Sequence, residues 1–392
     1  MEGKAPNEAE VAGILLVGAI IVFAALLFIL PNPPLAANFT VNEANPTNVS
    51  VITYPKSNKN AMLQEYTVSV QRQLDKQTVL TVAGMGTQQE HLFNSVTYTA
   101  PQLGTGNQFF DSGPGITTNR GLNVTLNEDN GTGHYYGLQT KVERRMANGL
   151  QLIGTYTWSH ATDNSTGPFS PTGGTGNIYA TSIGPDFSLN RGNTGDDQRH
   201  AFTFAGIWDI PVGRGKQFGS NMNRGVDEVV GGWQLDPFIY LGTGTPVDFK
   251  VNNSAGGVFS RPDLVGNPHF GTHKGADGTV TLFDASAFAL PPTNTAGIYY
   301  RPGTVGRNEF YGPGYDSVDL ALHKVFSIGE RVKPDFRVQA YNLFNHPQFQ
   351  GAKDTNISDY LVSGKPSGPG FVGTSLRQAN ERELEMALRV VF

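Results

Sequence analysis

Asp196, Asp197 and His200, in the stretch GDDQRH, set two carboxylates and an imidazole close together. These are donor types that a divalent metal ion takes. No second ligand group stands beside them at metal-site spacing, and His200 opens an alternating run, so the stretch reads as the approach to a strand. No metal, no cofactor and no cofactor-binding residue is assigned. HExxH, P-loop and GxSxG patterns are absent, and no GxGxxG run stands between a strand and a helix. The chain therefore has no catalytic residue assigned and reads as a protein that is not an enzyme. A second set of ionisable residues is more regular. Lys141, Glu143, Asp319, His323, Asp335, Arg337, Glu385 and Arg389 alternate with apolar neighbours, which makes them candidates to line a wet solute path or simply to pair across it. The aromatic residues Phe109, Phe110, Phe169, Tyr299, Tyr300, Phe310 and Tyr311 fall in long polar segments, where stacking on a ligand and packing of the loops on themselves are equally open.

The elements that carry these residues are strands. The tail LEMALRVVF sets Leu384, Met386, Leu388, Val390 and Phe392 on one face and Glu385, Ala387 and Arg389 on the other, because successive side chains of a strand point to opposite sides. The same alternation recurs in EYTVSVQRQL, TVLTVAGM, HYYGLQTKVERR, LQLIGTYTWS, RHAFTFAGIWDI, GGWQLDPFIYL, DSVDLALHKVF and VKPDFRVQAYNLF. With the tail this predicts nine strands, and NVSVITY, Asn48 to Tyr54, offers a tenth. Leu150, Tyr156, Phe202, Phe204, Leu320, Leu322, Phe336, Leu388 and Phe392 are expected on one face, Gln139, Lys141, Asp319, Arg337 and Arg389 on the other. Connections alternate in length. Those at 73–77, 147–149 and 327–331 are tight and 211–216 opens a moderate one, whereas 88–133, 161–197, 242–315 and 345–382 are long and rich in Gly, Asn, Pro, Ser and Thr. Short turns on one side and long loops on the other are the plan of an outer-membrane β-barrel.

Composition agrees. Among 392 residues there are 48 Gly, 24 Phe, 14 Tyr and no Cys, and only 16% are charged, which suits many turns and aromatic strands and leaves no disulfide scaffold. A net charge of −5 with no basic block argues against nucleic acid as a partner. Val11 to Leu30 is an uncharged apolar run of bilayer-spanning length, so residues 1–30 read as a hydrophobic leader or signal-anchor helix, 31–61 as a linker and 62–392 as the barrel region. Strands are expected to dominate beyond residue 60, with helix confined essentially to 9–30.

Several segments then carry a family resemblance in order along the chain: YTVSVQRQL, GLQLIGTYTWSHATDNS, DDQRHAFTFAGIWDIPVGRGKQF, VGGWQLDPFIYLGTGTPV, FDASAFALP, VGRNEFYGPGYDSVDLALHKVF, RVQAYNLFNHPQF and LRVVF. Over residues 31–392 the chain resembles the C-terminal barrel region of TonB-dependent outer-membrane receptors, and most of all the Oar-like group of acidobacterial type, whose members carry a carboxypeptidase-regulatory-like domain. The resemblance implies localisation in the outer membrane of a Gram-negative-type cell and uptake of a solute. It implies outer-membrane lipid and the outer-membrane assembly machinery as partners, and the TonB system only where a plug is supplied elsewhere. It also gives the tail residues Leu384, Met386, Leu388, Val390 and Phe392 the character of an outer-membrane insertion signal. The expected fold is all-β: an antiparallel transmembrane β-barrel portion of about nine or ten strands with long extracellular loops and an N-terminal hydrophobic helix. A self-contained small porin or adhesin barrel, and a soluble β-rich carbohydrate-binding module, are the alternatives.

Overall fold

A computed structural model describes residues 50–53, 59–97, 123–164, 180–181, 184–185, 190–252, 259–269, 273–274, 280–281, 283–293, 301, 303–326, 332–346, 348–349, 357, 377–378 and 381–391. Nine strands form one antiparallel meander in chain order: β1 (Met62–Gln73), β2 (Thr78–Thr97), β3 (Asn123–Ala147), β4 (Leu150–Asp163), β5 (His200–Asp209), β6 (Trp233–Gly242), β7 (Tyr315–Val325), β8 (Lys333–Tyr341) and β9 (Glu383–Val391). β1 and β9 are the two edges of this meander, and among the described residues no pairing joins them. The tenth strand appears as Ser50–Thr53, but it lies parallel to β3 at Asn123 to Leu126 and does not extend the meander. The expected leader at 1–30, its apolar helix, and the linker apart from 50–53 and 59–61 lie outside the described residues.

Turn chemistry closes the short-turn end. Asn148 and Gly149 both have positive φ (53° and 74°), the pairing that a two-residue hairpin turn between right-twisted strands requires. In the β1–β2 turn, the Asp75 carboxylate accepts from the backbone N–H groups of Gln77 (2.7 Å) and Thr78 (2.9 Å) and from the Thr78 hydroxyl (2.9 Å). The first of these bonds does most to hold its pKa below the ordinary carboxylate range.

Two expectations are corrected. The segment 88–133 is not a loop throughout: β2 and β3 run to 20 and 25 residues and pair far beyond the roughly 9–11 residues that cross a bilayer. The pairing shifts register between Gln89 and Asn94, where His91 takes a positive φ of 55°. Polar partners such as Asn94 and Asn130, bonded at 2.8 Å, hold this extension together, so no apolar alternation announces it. Helix is also not confined to the N-terminus, since the connection between β5 and β6 contains α1 (Arg224–Val230), whose N-terminus is capped by the Asn223 side chain accepting from Gly225 N (2.8 Å).

Register sorts the sheet into two faces. One face carries rows such as Val70, Val82, Thr140, Tyr156, Phe202 and Leu241, and Leu150, Trp208, Leu235, Leu322, Val338 and Met386. The opposite face carries the row Gln71, Thr81, Lys141, Thr155, Thr203, Tyr240 and Ser317. The apolar face does not meet a protein core, as Met386 at 70% and Leu388 at 66% exposure show. The buried apolar core lies instead in the long loops, where Phe249, Phe283, Phe288, Val247, Val251, Val305 and Ile357 pack together with ring centroids as close as 4.7 Å. A sheet that exposes its apolar face while its loops bury theirs is built for lipid on that face.

Candidate functional site on the polar face and the long loops

All six candidate lumen-lining residues, Lys141, Glu143, Asp319, His323, Arg337 and Arg389, fall on the polar face by register. Five of them form two separate groups. Lys141 and Glu143, on β3, pair with each other at 2.8 Å. On β7–β9, Asp335 is the hub: its Oδ1 lies 2.5 Å from His323 Nε2, and it stands opposite Arg389, while His323 stands opposite Arg337. Lys141 pairs with Glu143 and His323 with Asp335, an arrangement that suits a wet wall.

Asp319 belongs to a different arrangement. One row of the polar face reads Glu143, Ile153, Ala205, Phe238 and Asp319, a carboxylate at each end and apolar side chains between. Ile153 (39%) and Phe238 (44%) are exposed there. At roughly 4.8 Å per strand the two carboxylates are about 19 Å apart. Towards the long-loop end, Asp319 accepts from Asn342 N (2.8 Å) and Ser317 Oγ (3.1 Å) at the floor of a cavity of about 540 Å³ walled by Tyr315, Tyr341, Glu383 and Arg382. Its walls offer hydroxyl, carboxylate and guanidinium groups, a lining that suits a solute rich in hydrogen-bonding groups.

Two of the residues that stood out as a metal set, Asp197 and His200, have other partners. Asp197 is buried and accepts from Ala161 N (2.6 Å) and the Tyr311 hydroxyl (2.5 Å), with Arg199 3.2 Å away. His200 turns to the apolar face, its Nδ1 2.8 Å from the Tyr156 hydroxyl. Asp197 thus latches the loop after β4 to the loop before β7. A second latch lies beside it: Arg307 reaches the Asp163 carboxylate and donates to Asn190 O (3.0 Å), and Asn193 and Asn308 exchange side-chain to backbone bonds of 2.8 and 2.7 Å. Burial raises the Tyr311 phenol above its ordinary range, helped by its bond to Asp197 and opposed by Arg199. Sequence reasoning missed Asp163 and Arg307, since partners 144 positions apart share no local pattern. Phe310 packs on Phe249 and Phe288, so it and Tyr311 serve loop packing. Phe109, Phe110, Phe169, Tyr299 and Tyr300 lie outside the described residues.

Of the tail, Leu384, Met386, Leu388 and Val390 line the apolar face of β9 in register with Ala340, Val338, Phe336 and Pro334, and Phe392 lies outside the described residues.

The family described as outer membrane beta barrel domain matches residues 22–384. No curated protein matches the chain. Solved structures that match include the ferric-catecholate import receptor Fiu of Escherichia coli K12, at 14% identity and a TM-score of 0.37 over 87% of this chain and 30% of that one. The siderophore receptor PiuA of Acinetobacter baumannii matches at 11% identity and a TM-score of 0.37, over 83% and 28% of the two chains. The pyoverdine outer membrane receptor FpvA of Pseudomonas aeruginosa PAO1 matches at 12% identity and a TM-score of 0.38, over 85% and 30%. The chain spans less than a third of the length of each of these structures. It belongs to the outer membrane beta barrel domain family and is a protein of the outer membrane.

Proposed function

We propose that this outer-membrane protein acts as the C-terminal barrel part of a TonB-dependent receptor of the Oar-like type, taking up a solute with a plug that the described sheet does not contain. The observation that carries this reading is the apolar row Ile153, Ala205 and Phe238, set beside the polar row of Lys141, Thr155, Thr203 and Tyr240. A water-filled pore gains nothing from exposed apolar side chains on its wall, whereas a folded plug resting against that wall would bury them. The ordered segments that resemble such receptors support the same reading. In it the latched loops form the outer recognition surface and the cavity beside Asp319 is a first contact for the solute. No chemical step is assigned to any residue.

Coproduction with a plug-bearing N-terminal part of a receptor of this type is the direct test. Solute uptake should then depend on TonB, and Phe238→Glu should abolish it while leaving heat-modifiable protein in the outer membrane. Large TonB-independent conductance from the chain alone in planar bilayers would establish the porin reading instead. Growth of a receptor-deleted strain on a TonB-dependent nutrient, restored by this chain with no second fragment, would remove the need for a plug.

A further inference from the structure

The connection between β5 and β6, residues 210–232, is longer than a hairpin turn needs, and it is held rigidly. Ile210 N donates to Trp233 O (2.8 Å), Gly213 N to Phe218 O (2.8 Å), Phe218 N to Pro211 O (2.9 Å) and Arg214 N to Asp227 Oδ1 (2.7 Å). Yet this ordered unit buries none of the residues of α1. Val226, Val229 and Val230 stand at the i, i+3 and i+4 positions of one helical face, with exposures of 49%, 67% and 45%, and Phe218 is exposed at 57%.

Two bonds fix where this unit sits. Trp233 belongs to the apolar face of the sheet, in register with Lys324, and its indole Nε1 donates to Val229 O (2.9 Å). Lys324, on the same face, donates to Gly231 O, with its ammonium 5.3 Å from the Trp233 ring centroid and 4.9 Å from that of Phe326. Phe336 packs edge-on against Trp233 at 6.4 Å, and Trp208 stands exposed beside them at 41%. Aromatic girdles of this kind mark the membrane–water boundary of outer-membrane sheets, and a lysine on the lipid face costs least at that depth. The short-turn end faces the periplasm in such sheets, so the boundary is that of the inner leaflet.

We propose that the β5–β6 connection is an interfacial anchor whose apolar edge, Val226, Val229, Val230 and Phe218, lies among the phospholipids of the inner leaflet. Its apolar surface continues the lipid-facing surface at Trp208, Trp233 and Phe336, so a single solvent, lipid, accounts for both. A water-exposed turn would leave that edge bare, and a second copy or a periplasmic protein would have to compete with the bilayer that already borders it. The helix caps the inward end of Lys324 and prevents the ammonium from facing hydrocarbon unpartnered.

The sequence contains no cysteine, so a single introduced thiol carries a spin label at one known position. The full chain, inserted in vesicles of phosphatidylethanolamine and phosphatidylglycerol, would be labelled in separate variants at Val229→Cys, at Ser220→Cys, an exposed polar position of the same connection, and at Val68→Cys on the lipid face of β1. The measurement is accessibility to oxygen, which concentrates in lipid, relative to a water-soluble nickel complex. The label at position 229 should shift towards the oxygen-rich values of position 68, while position 220 stays with the nickel-rich values of water. The proposal is overturned if position 229 matches position 220 while position 68 reads lipid. Protection of position 229 from both reagents would also overturn it, by showing a protein cover. Because insertion is read at position 68, the outcome does not depend on any uptake activity.

Discussion

Arg307 and Asp163 form a buried ion pair between two of the long loops. Removing one side of a buried ion pair leaves the other uncompensated, which costs roughly 3–5 kcal/mol. Arg307→Ala should therefore release the loop before β7 from Asp163 and Asn190, seen as faster proteolysis within 243–314 of the membrane-inserted protein. The double change Arg307→Leu with Asp163→Leu should be markedly less harmful. A second pair gives a pH signature. Two bonds from Arg301, 2.6 and 2.8 Å, hold the Asp263 carboxyl below its usual range. A carboxyl depressed in the folded state contributes stability above its unfolded pKa, and loses it as pH falls through the folded one. Protease resistance of this loop should thus hold from neutral pH to about 5 and fall below about 4, a loss that Asp263→Asn should make shallower. At this scale the sequence was only partly legible. Lys141, Asp319 and Arg337 were placed on the correct face by alternation alone, whereas Asp197 was read for its neighbours in sequence when its partner is Tyr311, brought near by folding.

Turns and strand limits follow different rules of visibility. Asn148-Gly149 was legible because a tight hairpin needs positive φ at both central positions, and few residues accept it. Gly149→Ala should cost about 1–2 kcal/mol from backbone strain. A β-carbon there would also stand 2.9 Å from Asp209 Cβ, so slower assembly into heat-modifiable form is expected, while Asn148→Gly should assemble normally. All nine membrane strands were visible because lipid on one side and water on the other impose a period of two. Beyond the bilayer that constraint lapses. Hence the outer halves of β2 and β3, mostly polar and without a sustained apolar alternation, read as loop, and α1 with its seven residues was too short to show a period.

For the whole molecule, the decisive property is that one apolar face continues across all nine strands. Leu320→Arg on that face should cost about 2–4 kcal/mol if it sits near the bilayer midplane, whereas Gln339→Arg on the polar face should be tolerated. Comparing the amounts of each variant recovered in folded form from outer membranes checks the sorting. Deleting Phe392 should reduce insertion far more than synthesis, which fractionation of pulse-labelled cells would reveal. What single-residue patterns could not convey is how the sheet ends, because closure depends on chain direction. β1 leads into a short turn and β9 comes inward from a long loop, so the two edge strands point the same way. Joined directly, within one copy or between two copies inserted alike, they would meet as a parallel seam. An all-antiparallel ring is possible only with an odd number of further strands between them, the first and last of which run outward.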